Sequence, residues 1–208
     1  MNTVAIIALL TFTTFLHAVG ERPLSEEKQI LLEKIRNAPE DLPEATIRRV
    51  AQRPSVHYHW VKEVALDGKA ITTEDGAQWN VADTDYYKTT NWKEGDVLTL
   101  SPNNWWFCTH HYYLTNQNAG SYVRVNLAIG PVAYGPKTHF IVGIDYKNSA
   151  LFLENNTSWI IPSTYASIFE DFAVNDTIII GVNETWVSTY DTMLINVNLN
   201  TYLPAKKF

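Results

Sequence analysis

Tyr58, Trp60, Val64 and Leu66 recur at period two, the spacing of a half-buried strand, and Lys62 is the one interruption. Asp67-Gly68 follows and predicts a two-residue hairpin turn, whose central positions favour positive φ. A second turn at Asp75-Gly76 closes a three-stranded meander, with Trp79 pointing inward from its third strand. Residues 83–91 read as one or two turns of helix opened by a capping residue, Asp83. Trp92-Lys93-Glu94-Gly95-Asp96 then leads into the apolar run 97–100; Gly95 supplies a positive φ and Asp96 caps the turn with its carboxylate. Two further strands, near 112–116 and 121–127, are joined by Asn118-Ala119-Gly120. Short strands at this density, with tight turns, predict a small closed or nearly closed β-barrel of five or six strands.

The pattern is written twice. Residues 55–128 lie over 135–208 with a constant shift of 80 and no gap, and thirteen of the 74 positions are identical. Among them His59 meets His139, Glu74 meets Glu154, Trp79 meets Trp159, and Asp96 meets Asp176. Apolar residues also keep phase, as in Trp60/Phe140, Ile71/Leu151, Trp92/Phe172 and Leu98/Ile178. Such agreement over the whole length marks a tandem duplication. In the second copy Lys147-Asn148 and Asn155-Asn156 take the turns, and Asn175 replaces Gly95; asparagine tolerates positive φ better than most residues. The expected architecture is mainly β: two tandem small β-barrels, SH3-like or similar, over residues 55–134 and 135–208. The link at 129–134 is short, so the barrels are expected to touch.

The DG turn, a tryptophan, then W-x-x-G-D before an apolar strand is carried here by Asp75, Gly76, Trp79, Trp92, Gly95 and Asp96. This motif resembles a repeat of small, uncharacterised exported bacterial proteins. The second copy keeps only Trp159 and Asp176 of it unchanged. The resemblance covers most of residues 55–208 and carries no activity over to this chain.

Residues 1–20 read as a signal peptide: an apolar run at 4–16, then Ala18-Val19-Gly20 with small residues where a signal peptidase needs them. Cleavage is expected after Gly20; the leader lacks a lysine or arginine, and an uncleaved anchor is the competing reading. The mature chain is then exported, as a periplasmic, envelope-associated or secreted protein, with no transmembrane domain. Residues 21–54 form a helical N-terminal segment. Ser25 caps its first helix, Glu26 and Glu27 suit the helix dipole, and Pro39 and Pro43 break it. The chain carries a formal charge of −6. Residues 55–134 hold eight acids against five bases, and 135–208 seven against four. That balance argues against nucleic acid, which needs a basic face. One cysteine, Cys108, allows no internal disulfide.

Candidate chemistry is sparse. His57 and His59 stand two apart on a strand, so both rings leave one face, a spacing that can hold zinc if a third ligand arrives. Cys108 and His110 also share a face, and a thiol beside an imidazole can serve as a nucleophile or a soft-metal pair. Glu74 and Glu154 sit beside hairpin turns and read as solvated or turn-bonding carboxylates. No zinc-binding helix signature, nucleophile elbow, phosphate loop or calcium loop occurs, and no cofactor is implied. Asn155, Asn156, Asn175 and Asn183 open N-x-[ST] triplets and are read as turn chemistry.

Subtracting one copy from the other is more informative. The first adds Tyr86, Tyr87, Trp105, Phe107, Tyr112 and Tyr113 where the second has smaller or aliphatic residues. Exposed tyrosine and tryptophan stack on sugars or anchor protein contacts. The expectation is therefore a non-catalytic binding or envelope-interaction module that takes a protein or glycan ligand on these rings. The rival is a thiol- or metal-dependent hydrolase using Cys108 and His110.

Overall fold

The computed structural model describes residues 57–104, 107, 109–183 and 189–208. The expected leader and helical N-terminal segment lie outside the described residues, as do Trp105 and Cys108. Six strands make the first barrel: β1 (Tyr58–Val64), β2 (Ala70–Thr73), β3 (Gln78–Val81), β4 (Val97–Pro102), β5 (Tyr112–Asn116) and β6 (Ser121–Ile129). They close in the order β1-β2-β3-β6-β5-β4, every neighbour antiparallel. The second barrel repeats that order with β7 (Thr138–Asp145), β8 (Ala150–Leu153), β9 (Ser158–Ile160), β10 (Thr177–Val182), β11 (Thr192–Asn196) and β12 (Thr201–Lys207). Each barrel is thus two three-stranded meanders joined edge to edge, which leaves no open sheet edge.

The predicted short helices are present. A 3-10 helix at Tyr86–Asn91 carries the chain from β3 to β4; in the second copy a 3-10 turn at Ser163–Tyr165 runs into one α-helical turn at Ala166–Phe169. Asp83 does not cap the first of them; its carboxylate pairs with Lys69 at 3.2 Å instead. Each barrel wraps its own indole, Trp79 or Trp159, both fully buried. Each indole N–H donates to a neighbouring threonine hydroxyl, Thr73 at 3.3 Å and Thr157 at 3.0 Å, as a buried indole requires.

Gly76 and Asn156 both take a positive φ, as do Gly95 and Asn175. Asp96 and Asp176 cap the turn in the same way. Each carboxylate accepts the backbone N–H three residues earlier at 2.9 Å and the Asn116 or Asn196 amide at 2.7 Å. Two local expectations are corrected. The β1–β2 connection is longer than a two-residue turn: Ala65 N–H donates to Ala70 O, and Gly68 alone is left-handed. Its counterpart places the positive φ on Ser149, because Asn148 is held by the Asp145 carboxylate. The inward phase of β1 also differs. His59 and Val61 are buried while Trp60 is only partly so and Leu66 is fully exposed. A register shift between Val61 and Glu63 moves the strand out of strict alternation, which is what a β-bulge does. Lys62 marks its place.

The barrels do touch, and broadly. The core of the first continues into Ile179, Met193 and Ile195, which point out of the second barrel. Strands β4 and β10 approach so closely that a side chain on Gly181 would meet Leu100 O at 2.5 Å. Around this apolar seam lies a polar ring. Asp75 O accepts Val132 and Ala133 N–H, Thr138 Oγ1 donates to Asp75 Oδ2, and Tyr202 OH donates to Asn104 Oδ1 at 2.6 Å.

Candidate functional site

The identical His and Glu of the two copies form pairs. His59 Nδ1 lies 2.9 Å from Glu74 Oε1, and His139 Nδ1 lies 2.6 Å from Glu154 Oε1. The second carboxylate oxygen accepts the backbone N–H of Trp60 or Phe140 on the first strand of its barrel. Neither glutamate is a solvated turn residue; each ties the β2–β3 or β8–β9 hairpin to the strand beside it. One property separates the pairs. His59 Nε2 reaches out of its barrel to Ile180 O, 2.9 Å away on β10, whereas His139 Nε2 meets Pro136 O at 3.2 Å and the Asn155 amide nitrogen at 3.0 Å.

His57 points into the same seam, 3.1 Å from Thr192 Oγ1 and with its ring against Trp159 at 6.1 Å. Burial, with Lys137 nearby, pushes it down to about 4. Both ring nitrogens of His59 are occupied, so the two histidines do not combine into a metal site. Among the described residues no group of three or more His, Cys, Asp and Glu could hold a metal ion. His110 is half-buried beside Thr109 Oγ1 at 3.2 Å, and burial with Arg124 lowers its ring. Its proposed partner Cys108 lies outside the described residues.

The aromatic residues divide. Tyr112 is not on the surface: it is fully buried, packed edge-on against Trp79 at 5.7 Å and against Tyr202 at 6.0 Å. Burial raises its hydroxyl. Its alternation on β5 puts Tyr112 inward and Tyr113 outward. Phe107 is 94% exposed. Tyr86 and Tyr87 stand edge to face at 6.4 Å on the 3-10 helix, and Tyr113 stands edge to face with Tyr122 at 5.5 Å. Lys88 joins the two pairs, its ammonium 5.9 Å from the Tyr87 ring and 5.0 Å from the Tyr122 ring. Tyr87 is 60% and Tyr122 54% exposed. The result is a continuous flank of four tyrosines on one side of the first barrel.

Tyr122 was invisible to subtraction because the second copy has Tyr202 at the same place. Tyr202, however, turns into the seam between barrels. The flank is braced from beneath by buried Asp85, which binds Lys88 Nζ at 2.8 Å and Arg124 Nε at 2.7 Å. Burial alone would raise the Asp85 carboxyl, but the Arg124 and Lys88 contacts outweigh it and hold it well below the usual carboxylate range. Lys69, over the Tyr86 ring at 5.6 Å, is paired with Asp83. Lys69 therefore has a carboxylate to itself, while Lys88 and Arg124 share Asp85.

The asparagine triplets of the second copy are spent on turns. Asn155 Oδ1 accepts Thr157 N–H at 3.1 Å and Thr157 O–H at 2.6 Å, Asn156 and Asn175 are left-handed, and Asn183 donates to Tyr190 O at 2.7 Å. No family model, curated protein or solved structure matches this chain.

Proposed function

We propose that the protein is an exported, non-catalytic binding module that takes a glycan chain across the tyrosine flank of its first barrel. The observation that carries this reading is the line Tyr86, Tyr87, Tyr122, Tyr113, ordered through Lys88 and absent from the second barrel. Ala166 and Ser167 replace its first two rings there, Met193 is buried, and Tyr202 faces the seam. Rings held in place by packing lose little freedom on binding, and stacking on a sugar face uses that. Lys69, Lys88 and Arg124 are all engaged by Asp83 or the shared Asp85, so ring faces make up most of what the flank offers a ligand.

Affinity electrophoresis of the full chain through gels containing neutral soluble polysaccharides tests this, with sedimentation on isolated cell-wall glycan beside it. Tyr87→Ala and Tyr122→Ala are expected to abolish retardation while changing folding stability by no more than about 0.5 kcal/mol, as exposed positions usually do. Undiminished retention by the double variant, or binding to protein partners alone, overturns the glycan reading.

A further inference from the structure

We propose that the His59 imidazolium is a pH-sensitive latch between the barrels, closed near neutral pH and opened as the pH rises. Ile180 O can only accept, so His59 Nε2 must carry a proton to bond it at 2.9 Å. Glu74, whose other oxygen accepts Trp60 N–H, also accepts, so Nδ1 must carry one as well. A neutral ring has one proton and can serve one of these two partners. The carboxylate is the stronger acceptor and keeps it. Nε2 then turns a lone pair on a carbonyl oxygen in a buried site, and the contact that crosses between barrels becomes repulsive.

His139 is the built-in contrast. Its Nε2 lies 3.2 Å from Pro136 O and 3.0 Å from the Asn155 amide NH2, which the Thr157 bonds to the Asn155 carbonyl turn towards it, and both contacts stay within its own barrel. In the first copy the same position is Asp75, which instead joins the seam through Thr138. The duplication thus kept one His–Glu pair as an internal tie and turned the other into a connection between domains.

The groups facing the latch are Glu74 and Asp75 from the β2–β3 hairpin and His57 just before β1, with Lys137, Lys207 and Asp191 around His57; Ile180 brings only its carbonyl. Burial pushes His59 down, but the Glu74 hydrogen bond and charge, with Asp75 and the Ile180 carbonyl, raise it overall. A raised histidine contributes fully below its ordinary value and loses that contribution as pH rises through the folded value. His57, depressed to about 4, contributes fully above the ordinary value and loses it as pH falls towards about 4. The two windows meet near the ordinary histidine value of about 6.5, so barrel docking is strongest there and weakens on both sides.

The test uses the full chain labelled with nitrogen-15. At neutral pH the His59 ring nitrogens are expected to report two protons, and to titrate above about 6.5. Gly181 N–H belongs to the same peptide group as Ile180 O, so its amide shift should follow His59 with the same midpoint. Glu74→Gln should move that midpoint down by about one pH unit or more. A neutral His59 ring at neutral pH overturns the proposal. So does a doubly protonated ring whose titration leaves Gly181 unmoved, and both readings come from the unaltered protein if the variant does not fold.

Discussion

The two barrels share a skeleton and differ in what they turn outward. Six positions that recur at a shift of 80 hold both in the same way: the His and Glu of the ties, the buried indoles, the capping aspartates, and Asn116/Asn196 and Asn118/Asn198, which close the last hairpin and the strand beside it. On β4 and β5 the outward positions of the first barrel are Thr99, Ser101, Tyr113 and Thr115. On β10 and β11 they are Ile179, Gly181, Met193 and Ile195. All of the second set are buried, and β11 has no exposed residue. The second barrel gave its outer face to the seam and so became a support. The first kept an open flank of tyrosines. On these two strands the copies differ at the positions that the second barrel buries in the seam.

Removing an indole tests the shared skeleton hardest. Trp79→Ala and Trp159→Ala should each cost about 3–5 kcal/mol, the usual loss for a buried large aromatic. Because the first core continues into Ile179, Met193 and Ile195, calorimetry should show one cooperative transition in the wild type and in both variants. Two resolved transitions in the wild type would mean that the barrels are independent and the seam incidental. Next in size, Gly181→Val should destabilise by about 1–3 kcal/mol, the range for overpacking. The new side chain would meet the Leu100 backbone and Met193. A neutral result in chemical denaturation would remove the close approach of β4 and β10 from the account.

The smallest effect belongs to the first barrel alone. Asp85→Asn should lower stability by about 1 kcal/mol at neutral pH, discounted for the partial exposure of Lys88 and Arg124. Its position in the second copy is Tyr165, which carries no ion network. A depressed carboxyl contributes above its unfolded value and loses that contribution as pH falls through the folded one. The gap between Asp85→Asn and wild type should therefore close below about pH 4 in urea titrations. A gap that persists unchanged in acid would show that Asp85 acts through shape rather than charge.

Much of this was legible in the chain because it is local. Positive φ at Gly76, Asn156, Gly95 and Asn175, the capping by Asp96 and Asp176, and the two inward indoles are each set within a few residues, and the repeat states them twice. The phase of β1 misled, because its apolar residues alternate from Tyr58 while a bulge after Val61 changes which of them turn inward. Glu74 and His59 were both visible as repeated residues, yet fifteen positions apart they carried no sign of being a pair. The signal that could have joined them was their joint recurrence in the second copy.

By itself the sequence determined the duplication, the strand-and-turn order and the indole at the centre of each barrel, since alternation and turn chemistry act through neighbours along the chain. Only the tertiary structure decided which face of each barrel would be covered. Tyr122 and Tyr202 occupy the same place in the repeat, yet one is open to solvent and the other lies against Tyr112. His59 and His139 likewise hold equivalent carboxylates and reach different partners. A side chain's surroundings across a domain seam depend on how two surfaces dock, and no spacing within either copy encodes that.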